Sequence, residues 1–219
     1  MRTWCVVSQK GGSGKTTLLL HLSILAMAKG LAVSVIDLDP QRSAEQWAEL
    51  RERIAGADEP PIVHGTPARL DGMLEAARET RTDLVLIDTP PAVDKSMIFA
   101  AAAADVVIVP TRSGVLDGFA LQETLDYLKR IGALAKSVVV LNAAGTDAAA
   151  RAEIRRIVTK EFGATLLDPA IDDQVDLSAS LAKGKGVTES APKRKAAKAV
   201  QSLYQHLSEF DRRLAKARR

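Results

Sequence analysis

The chain has 219 residues, 47% of them hydrophobic, which is enough for one α/β domain with a full core and too few for two. No apolar run approaches the roughly 18 residues that a membrane span needs, and the segment after Met1 is β-like rather than a signal peptide, so we expect a cytoplasmic protein. Residues 183–219 carry eleven basic and three acidic side chains, a net charge of +8, whereas the whole chain carries +3 and the remainder therefore −5. This basic end suggests a polyanionic partner, either nucleic acid or an anionic membrane surface, although a solvated lysine-rich helix has the same composition.

The predicted elements alternate between strands and helices. Nearly continuous Val, Ile and Leu predict buried parallel strands at 3–8, 32–37, 83–88, 105–110 and 137–142, with weaker candidates at 61–65 and 164–168. Helical periodicity predicts helices at 16–29, 43–55, 67–79, 95–104, 117–131 and 148–162, and a basic C-terminal helix at about 191–217. The pattern indicates a single α/β domain over residues 1–219, a doubly wound, mostly parallel sheet with helices on both faces. Ligands of such sheets bind at the carboxyl ends of the strands.

A glycine-rich segment, KGGSGKTT at residues 10–17, follows the first strand. Its glycines, Gly11, Gly12 and Gly14, allow successive N–H groups to face one centre, and the helix that starts near Lys15 adds its positive N-terminal dipole. Lys15 would reach the β- and γ-phosphates of a nucleotide, and the Thr16 hydroxyl would lie on Mg²⁺. The segment therefore predicts a nucleotide-binding phosphate loop.

Carboxylates follow two other strands. Asp39 lies in the segment DLDPQ (37–41), after the second strand, and can orient an attacking water or hold the water shell of a metal ion. Asp88 ends the strand DLVLID and is the expected partner of Mg²⁺ beside the phosphate loop; a turn cap is the alternative. The three histidines have no neighbouring ligands at metal-binding spacing, so a structural metal site is not expected.

The motifs resemble those of the ParA/MinD family of ATPases, which have the P-loop NTPase fold. KGGSGKTT is similar to the family's deviant Walker A motif, and VIDLDPQ, LVLIDTPP and DVVIVPT follow in the family's order. The C-terminal stretch ASLAKGKGVTESAPKRKAAKAVQSLYQHL is also similar. The likeness is to short ParA-type partition ATPases: a first strand at about residue 3 leaves no room for an N-terminal helix-turn-helix domain, so none is expected.

The resemblance implies a role for each matching residue. Lys10 matches the signature lysine, which acts in trans on the phosphates of the partner subunit in an ATP-bound homodimer. Asp39 positions the hydrolytic water, Asp88 holds Mg²⁺ through water, and Asn142 reads the adenine edge. The residues implied to contact ATP are Lys10, Gly11, Gly12, Ser13, Gly14, Lys15, Thr16, Thr17 and Asn142. For Asn142 a simple turn cap at the end of its strand is the alternative.

The resemblance also implies what the ATPase would do. Family members of the ParA type bind DNA non-specifically as ATP dimers, and a ParB-like or other cargo adaptor stimulates their slow hydrolysis. The tail supplies the candidate phosphate contacts, Lys183, Lys185, Lys193, Arg194, Lys195 and Lys198. Asp173 and Asp176 stand where relatives have basic residues, which would weaken this surface or shift it. We expect association with the nucleoid and a plasmid as cargo.

Two other functions have a basis in the sequence. A MinD-like membrane-positioning ATPase would use the stripe Val200, Leu203, Tyr204, Leu207, Phe210 and Leu214 as an amphipathic anchor, but the same period describes a helix packed on the sheet, which we favour. A ParA-like ATPase could also position a protein assembly. Trp47 could lie at a subunit surface, but a tryptophan packed within the chain is the favoured reading.

Overall fold

A seven-stranded parallel sheet forms the centre of the computed structural model, which describes residues 1–57, 59–143, 145, 147–172 and 174–217. The spatial order of the strands is β3-β2-β4-β1-β5-β6-β7. Every strand pair in this sheet is parallel. In chain order the strands are β1 (Arg2–Val6), β2 (Val33–Asp37), β3 (Ile62–His64), β4 (Leu84–Asp88), β5 (Val106–Thr111), β6 (Ser137–Asn142) and β7 (Thr165–Ile171). The predicted fold class is confirmed, and β7 continues three residues beyond the predicted strand.

Helices connect the strands and cover both faces of the sheet. They are α1 (Lys15–Ala28), α2 (Ser43–Ala55), α3 (Leu70–Glu79), α4 (Lys95–Ala103), α5 (Val115–Arg130), α6 (Ala148–Arg156), α7 (Gln174–Leu181), α8 (Val187–Ser190) and α9 (Lys195–Ala217). A 3₁₀ turn over 67–69 precedes α3, and a π-helical turn over 157–161 extends α6. The sequence pattern did not predict α7 and α8, and α9 begins four residues later than expected.

The core consists of two apolar layers, one on each face of the sheet. Along β1, Trp4 and Val6 point to the layer that contains α1 and α9, whereas Cys5, and Val7 directly after the strand, point to the layer that contains α4 and α5. Consecutive residues of every central strand are thus buried on opposite sides, which is why these strands are continuous apolar runs in the sequence.

The apolar stripe of α9 is part of this core. Val200, Leu203 and Leu207 are fully buried, Tyr204 and Phe210 are nearly so, and they pack in the same layer as α1. The stripe is therefore already covered by the protein, as favoured from the sequence, and could reach a bilayer only if α9 left the sheet. None of the helices among the described residues is long and apolar enough to cross a membrane.

Side chains from α1 and α2 hold the α7–α8 segment in place. Arg51 of α2 is buried and makes a bidentate ion pair with Glu189, with both N–O distances at 2.9 Å, and donates to the Gly184 carbonyl at 2.7 Å. Nδ1 of His21, on α1, accepts the N–H of Val187 at 3.1 Å. These contacts are tertiary, and no local periodicity in the sequence signals them.

Candidate functional site

The loop between β1 and α1 forms a cradle of backbone N–H groups at the carboxyl end of the sheet. Gly12 and Gly14 have φ angles of 71° and 88°, in the left-handed region that favours glycine. A Cβ on Gly14 would also lie 2.1 Å from Nδ2 of Asn142, so a larger residue there would displace the Asn142 amide. The Ser13 hydroxyl is buried and has no hydrogen-bond partner among the described residues. An oxyanion such as a phosphate group would fit a cradle with an unpaired buried donor.

Lys15 and Thr16 lie in the first turn of α1, beside the buried carboxylate that ends β4. Lys15 is buried, its Nζ donates to the Ser8 carbonyl at 3.3 Å, and burial lowers its pKa against the opposing effect of Asp88 and Asp39. Thr16 Oγ1 donates to Asp88 Oδ2 at 2.5 Å. Hydroxyl and carboxylate oxygens are the ligands that Mg²⁺ prefers, so this pair fits the metal site predicted for it.

Burial raises the pKa of Asp88 to about 7, with nearby Asp37 acting in the same direction and the Thr16 hydrogen bond opposing both. The raised pKa reflects a carboxylate that lies fully inside the protein. A cation close to Asp88 would therefore stabilise its ionised form.

The loop after β2 is anchored by Asp37 and holds Asp39 near enough to Lys15 for the Asp39 carboxylate to oppose the lowering of the Lys15 pKa by burial. The Asp37 side chain is buried and accepts the N–H groups of Asp39 at 2.9 Å and Ala44 at 3.0 Å. Asp39 accepts the N–H of Gln41 at 2.9 Å, which orients its carboxylate. The predicted position of Asp39 on this edge agrees with the structure, whereas the anchoring by Asp37 was not anticipated.

Lys10 forms an ion pair within its own chain. Its Nζ lies 2.5 Å from Oδ1 of Asp117, in the first turn of α5, and its side chain is 35% exposed. The two lysines of the motif thus differ in environment, because Lys15 is enclosed by the cradle and Lys10 lies at the rim. Asp117 was missed from the sequence, although it lies in the loop–helix segment after β5, where ligand-binding residues are expected.

Asn142 lies beneath the cradle. The amide of Asn142 is buried and donates to the Ser13 carbonyl at 2.7 Å. Its adenine-reading role remains a prediction; the contact seen is structural. Thr17 is half-buried in the first turn of α1, and Gly11 is exposed.

Each of the six basic residues predicted to contact DNA is exposed: Lys183, Lys185, Lys193, Arg194, Lys195 and Lys198. Arg194 is not an unpaired cation, since its Nη1 lies 2.9 Å from Oδ1 of Asp176. Asp173 lies outside the described residues. Lys198 lines a groove of about 690 Å³ between α1 and α9 together with Lys29 and Arg212, and none of the described residues that line this groove carries a carboxylate. Lys29 and Arg212 were not among the predicted contacts.

Comparison with known proteins places this geometry in a family. Residues 4–187 match the model of the CobQ/CobB/MinD/ParA nucleotide binding domain. The chain belongs to this family. Its ParA/MinD members are ATPases that act in partition or positioning, so the chain is a member of a family of ATP hydrolases, as the motifs predicted.

Individual relatives show the same affiliation. The chain is 40% identical over 126 residues to the maintenance of carboxysome distribution protein A of Gloeobacter kilaueensis, an alignment that covers 57% of this chain and 55% of that protein. It is 28% identical over 236 residues to the chromosome-partitioning ATPase Soj of Thermus thermophilus, covering 93% of this chain and 94% of Soj. The MinD cell division protein of Aquifex aeolicus has the same fold, with a TM-score of 0.77 at 17% identity over 95% of this chain and 98% of MinD.

Proposed function

We propose that the protein is a ParA-type ATPase that dimerises when it binds ATP and Mg²⁺, binds DNA without sequence preference, and hydrolyses ATP slowly until an adaptor protein accelerates it. The cargo proposed for this switch is plasmid DNA, carried on the nucleoid. The observation that carries the proposal is the pair of lysines at one loop, with Lys15 enclosed in the cradle and Lys10 at its rim.

In the proposed hydrolysis, different residues of the site would bind the phosphates, the attacking water and Mg²⁺. The cradle and Lys15 would bind the phosphates, Asp39 would hold the attacking water, and the Thr16 hydroxyl and Asp88 would hold Mg²⁺. When bound, Mg²⁺ would supply positive charge beside the phosphates. Catalysis of this kind depends mainly on positioning and on neutralisation of charge.

Lys10 would connect hydrolysis to dimerisation. In the single chain its charge is paired with Asp117. In the proposed dimer Lys10 leaves Asp117 and contacts the phosphates of the partner subunit, as an arginine finger does. The phosphates thereby become part of the subunit interface, and hydrolysis weakens it.

DNA binding is supported by the distribution of charge. Exposed lysines are present at positions 183, 185, 193, 195 and 198, and Lys198 also lines the groove between α1 and α9 with Lys29 and Arg212. Contacts between these cations and phosphates would be independent of sequence and sensitive to salt.

The test is binding to a random-sequence duplex at fixed moderate salt, with ATP, with ADP and without nucleotide, using Asp39→Ala to retain the ATP state. Strong binding with ATP alone, weakening as salt rises, supports the switch. The Lys198→Glu variant should bind more weakly, whereas Lys129→Glu, at an exposed site on α5, should bind as before. Equal affinity in all three states would contradict the switch, and no binding in any state would contradict the DNA surface.

Positioning of a protein assembly is a second candidate, favoured by the similarity to the carboxysome distribution protein. The nucleotide switch would be the same, and the adaptor would recognise the assembly instead of a plasmid-bound complex. Deleting the gene and following plasmid retention and the distribution of large protein assemblies in the same cells separates the two.

A further inference from the structure

Side chains from two neighbouring strand ends hold successive carbonyls of the phosphate loop. Arg112, directly after β5, donates from Nη2 to the Gly12 carbonyl at 2.6 Å. Asn142, at the end of β6, donates to the Ser13 carbonyl at 2.7 Å. Arg112 is exposed and Asn142 is buried, so the two contacts approach the loop from its rim and from beneath.

Holding these carbonyls also orients the N–H groups of the loop. In a trans peptide the C=O and N–H bonds point in opposite directions, so fixing the Gly12 carbonyl fixes the N–H of Ser13, and fixing the Ser13 carbonyl fixes the N–H of Gly14. Within the described part of the chain neither N–H donates to another protein group. Both are therefore available to the ligand of the cradle.

The guanidinium of Arg112 makes no ion pair within the described part of the chain. Its contact with the loop is the hydrogen bond to Gly12, and the Gly12 Cβ position lies 3.7 Å from Nη2. A carboxylate that competed for Arg112 would draw it away from the loop, and none is paired with it. Within the described part of the chain, the Arg112 side chain therefore binds the phosphate loop without competition from a carboxylate.

We propose that Arg112 is a positioning residue of the nucleotide site: it fixes the peptide between Gly12 and Ser13 so that the Ser13 N–H faces the nucleotide's phosphates. This inference rests on the proposed function, since it presupposes that the cradle binds ATP. A loop that is oriented before binding loses less conformational freedom when the nucleotide arrives. The effect applies to any nucleotide that uses the cradle, ADP as well as ATP.

The test compares Arg112→Met, which keeps the length of the side chain but removes its donors, with Arg112→Lys, which keeps a donor. Arg130→Met, at an exposed arginine in the last turn of α5, is the matched control. We expect Arg112→Met to weaken ATP and ADP alike by about 10-fold, a factor typical for one lost charge-assisted hydrogen bond. Arg112→Lys should recover most of this loss, and Arg130→Met should match the wild type. Titration of a fluorescent ATP analogue and of ADP by competition measures both affinities.

Two further readouts separate positioning from other roles. In the absence of nucleotide, the thermal unfolding of Arg112→Met and of Arg112→Lys should match that of the wild type, because Arg112 is exposed and its contact is confined to the loop. A loss that vanishes at high salt would overturn the inference in favour of a long-range charge effect. A loss for ATP alone would overturn it in favour of a direct γ-phosphate contact.

The failure of the inference differs from that of the proposed function. If wild-type protein binds neither nucleotide, the proposed function is wrong. If wild-type protein binds both and Arg112→Met binds them equally well, only the role of Arg112 is wrong.

Discussion

Two lysines of the phosphate loop lie in different surroundings. Lys15 is buried against Ser8, and burial lowers its pKa, whereas the nearby carboxylates of Asp88 and Asp39 act in the opposite direction. Lys10 is partly exposed and its Asp117 partner lies on another element. The motif spacing assigned phosphate binding to Lys15 from the sequence alone, but the partner of Lys10 could not be predicted, since 107 positions separate Lys10 from Asp117.

The Lys15→Ala variant is expected to lose nucleotide binding, because it removes the one lysine enclosed within the cradle. Calorimetric titration with Mg-ATP would show no saturable heat, whereas Lys129→Ala should titrate as the wild type does. If Lys15→Ala retained its affinity for ATP, the loop would not be a phosphate cradle.

For Asp39→Ala we expect ATP binding to persist and turnover to fall by about 100-fold or more, since the carboxylate that orients the attacking water is removed. Phosphate release under saturating ATP measures turnover, and the titration used for Lys15 measures binding. An unchanged hydrolysis rate would remove Asp39 from the mechanism.

Among the elements, the strands were predicted better than the short helices that follow β7. β4 and β5 are uninterrupted apolar runs because both faces of the sheet are covered, and the sequence pattern reports this burial directly. The helices α7 and α8 have no such signal, since side chains more than a hundred positions earlier hold them. Trp47 donates to the Leu181 carbonyl at the end of α7, and Arg51 and His21 contact α8. Tertiary contacts of this kind decide local structure without a local pattern.

The contact between α1 and α8 makes stability depend on pH. Burial lowers the pKa of His21 from 6.5 to about 4, opposed by the Leu177 backbone and by Glu189. Between these values the unfolded chain binds a proton that the folded chain does not, so stability falls as pH falls from about 6.5 to 4 and is unaffected by this group above that range. The full difference is about 3 kcal/mol.

His21→Asn removes the titration and keeps an acceptor at the position of Nδ1 for the Val187 N–H. Urea unfolding of both proteins at pH 7.5 and pH 5 measures the effect. The wild type should lose more stability between the two pH values than the variant does. Equal losses would mean that His21 does not titrate in this window.

The ion pair between Arg51 of α2 and Glu189 of α8 stabilises the fold. Arg51→Met removes the charge, leaves Glu189 without its partner and leaves the Gly184 carbonyl without its donor, so we expect a loss of about 3 kcal/mol in the free energy of unfolding. Arg53→Met, at an exposed position on the same helix, should change it by less than about 0.5 kcal/mol. Urea unfolding compares the two, and equal effects would contradict the structural role of Arg51.

On the scale of the whole molecule, the site draws on five strand ends at the centre of the sheet. β1 lies between β4 and β5, which brings the phosphate loop beside Asp88 on one side and beside Arg112 on the other. The sequence predicted this edge as the site because parallel strands share one carboxyl end. It could not predict which side chains meet there, since Asn142 and Ser13 are 129 positions apart.

The role proposed for Lys10 involves a second copy of the molecule. In the Asp39→Ala background with ATP, the wild-type Lys10 should support a dimer, and Lys10→Ala should remain a monomer, because the cation that reaches the partner's phosphates is lost. Light scattering coupled to size-exclusion chromatography gives the mass of each. A persisting dimer with continued hydrolysis in Lys10→Ala alone would contradict action in trans.

The two tryptophans lie in separate parts of the fold, so their intrinsic fluorescence can report on each part separately. Trp4 packs against Tyr204 and donates to Asp211 at 3.1 Å, beneath α9. Trp47 lies on α2, the helix that follows Asp39, and donates to the Leu181 carbonyl at 3.0 Å. Because the chain has two tryptophans, replacing one leaves a single emitter. With Trp4 replaced by phenylalanine, the emission wavelength and quenching of Trp47 would follow α2 through the nucleotide cycle in real time, without an attached dye.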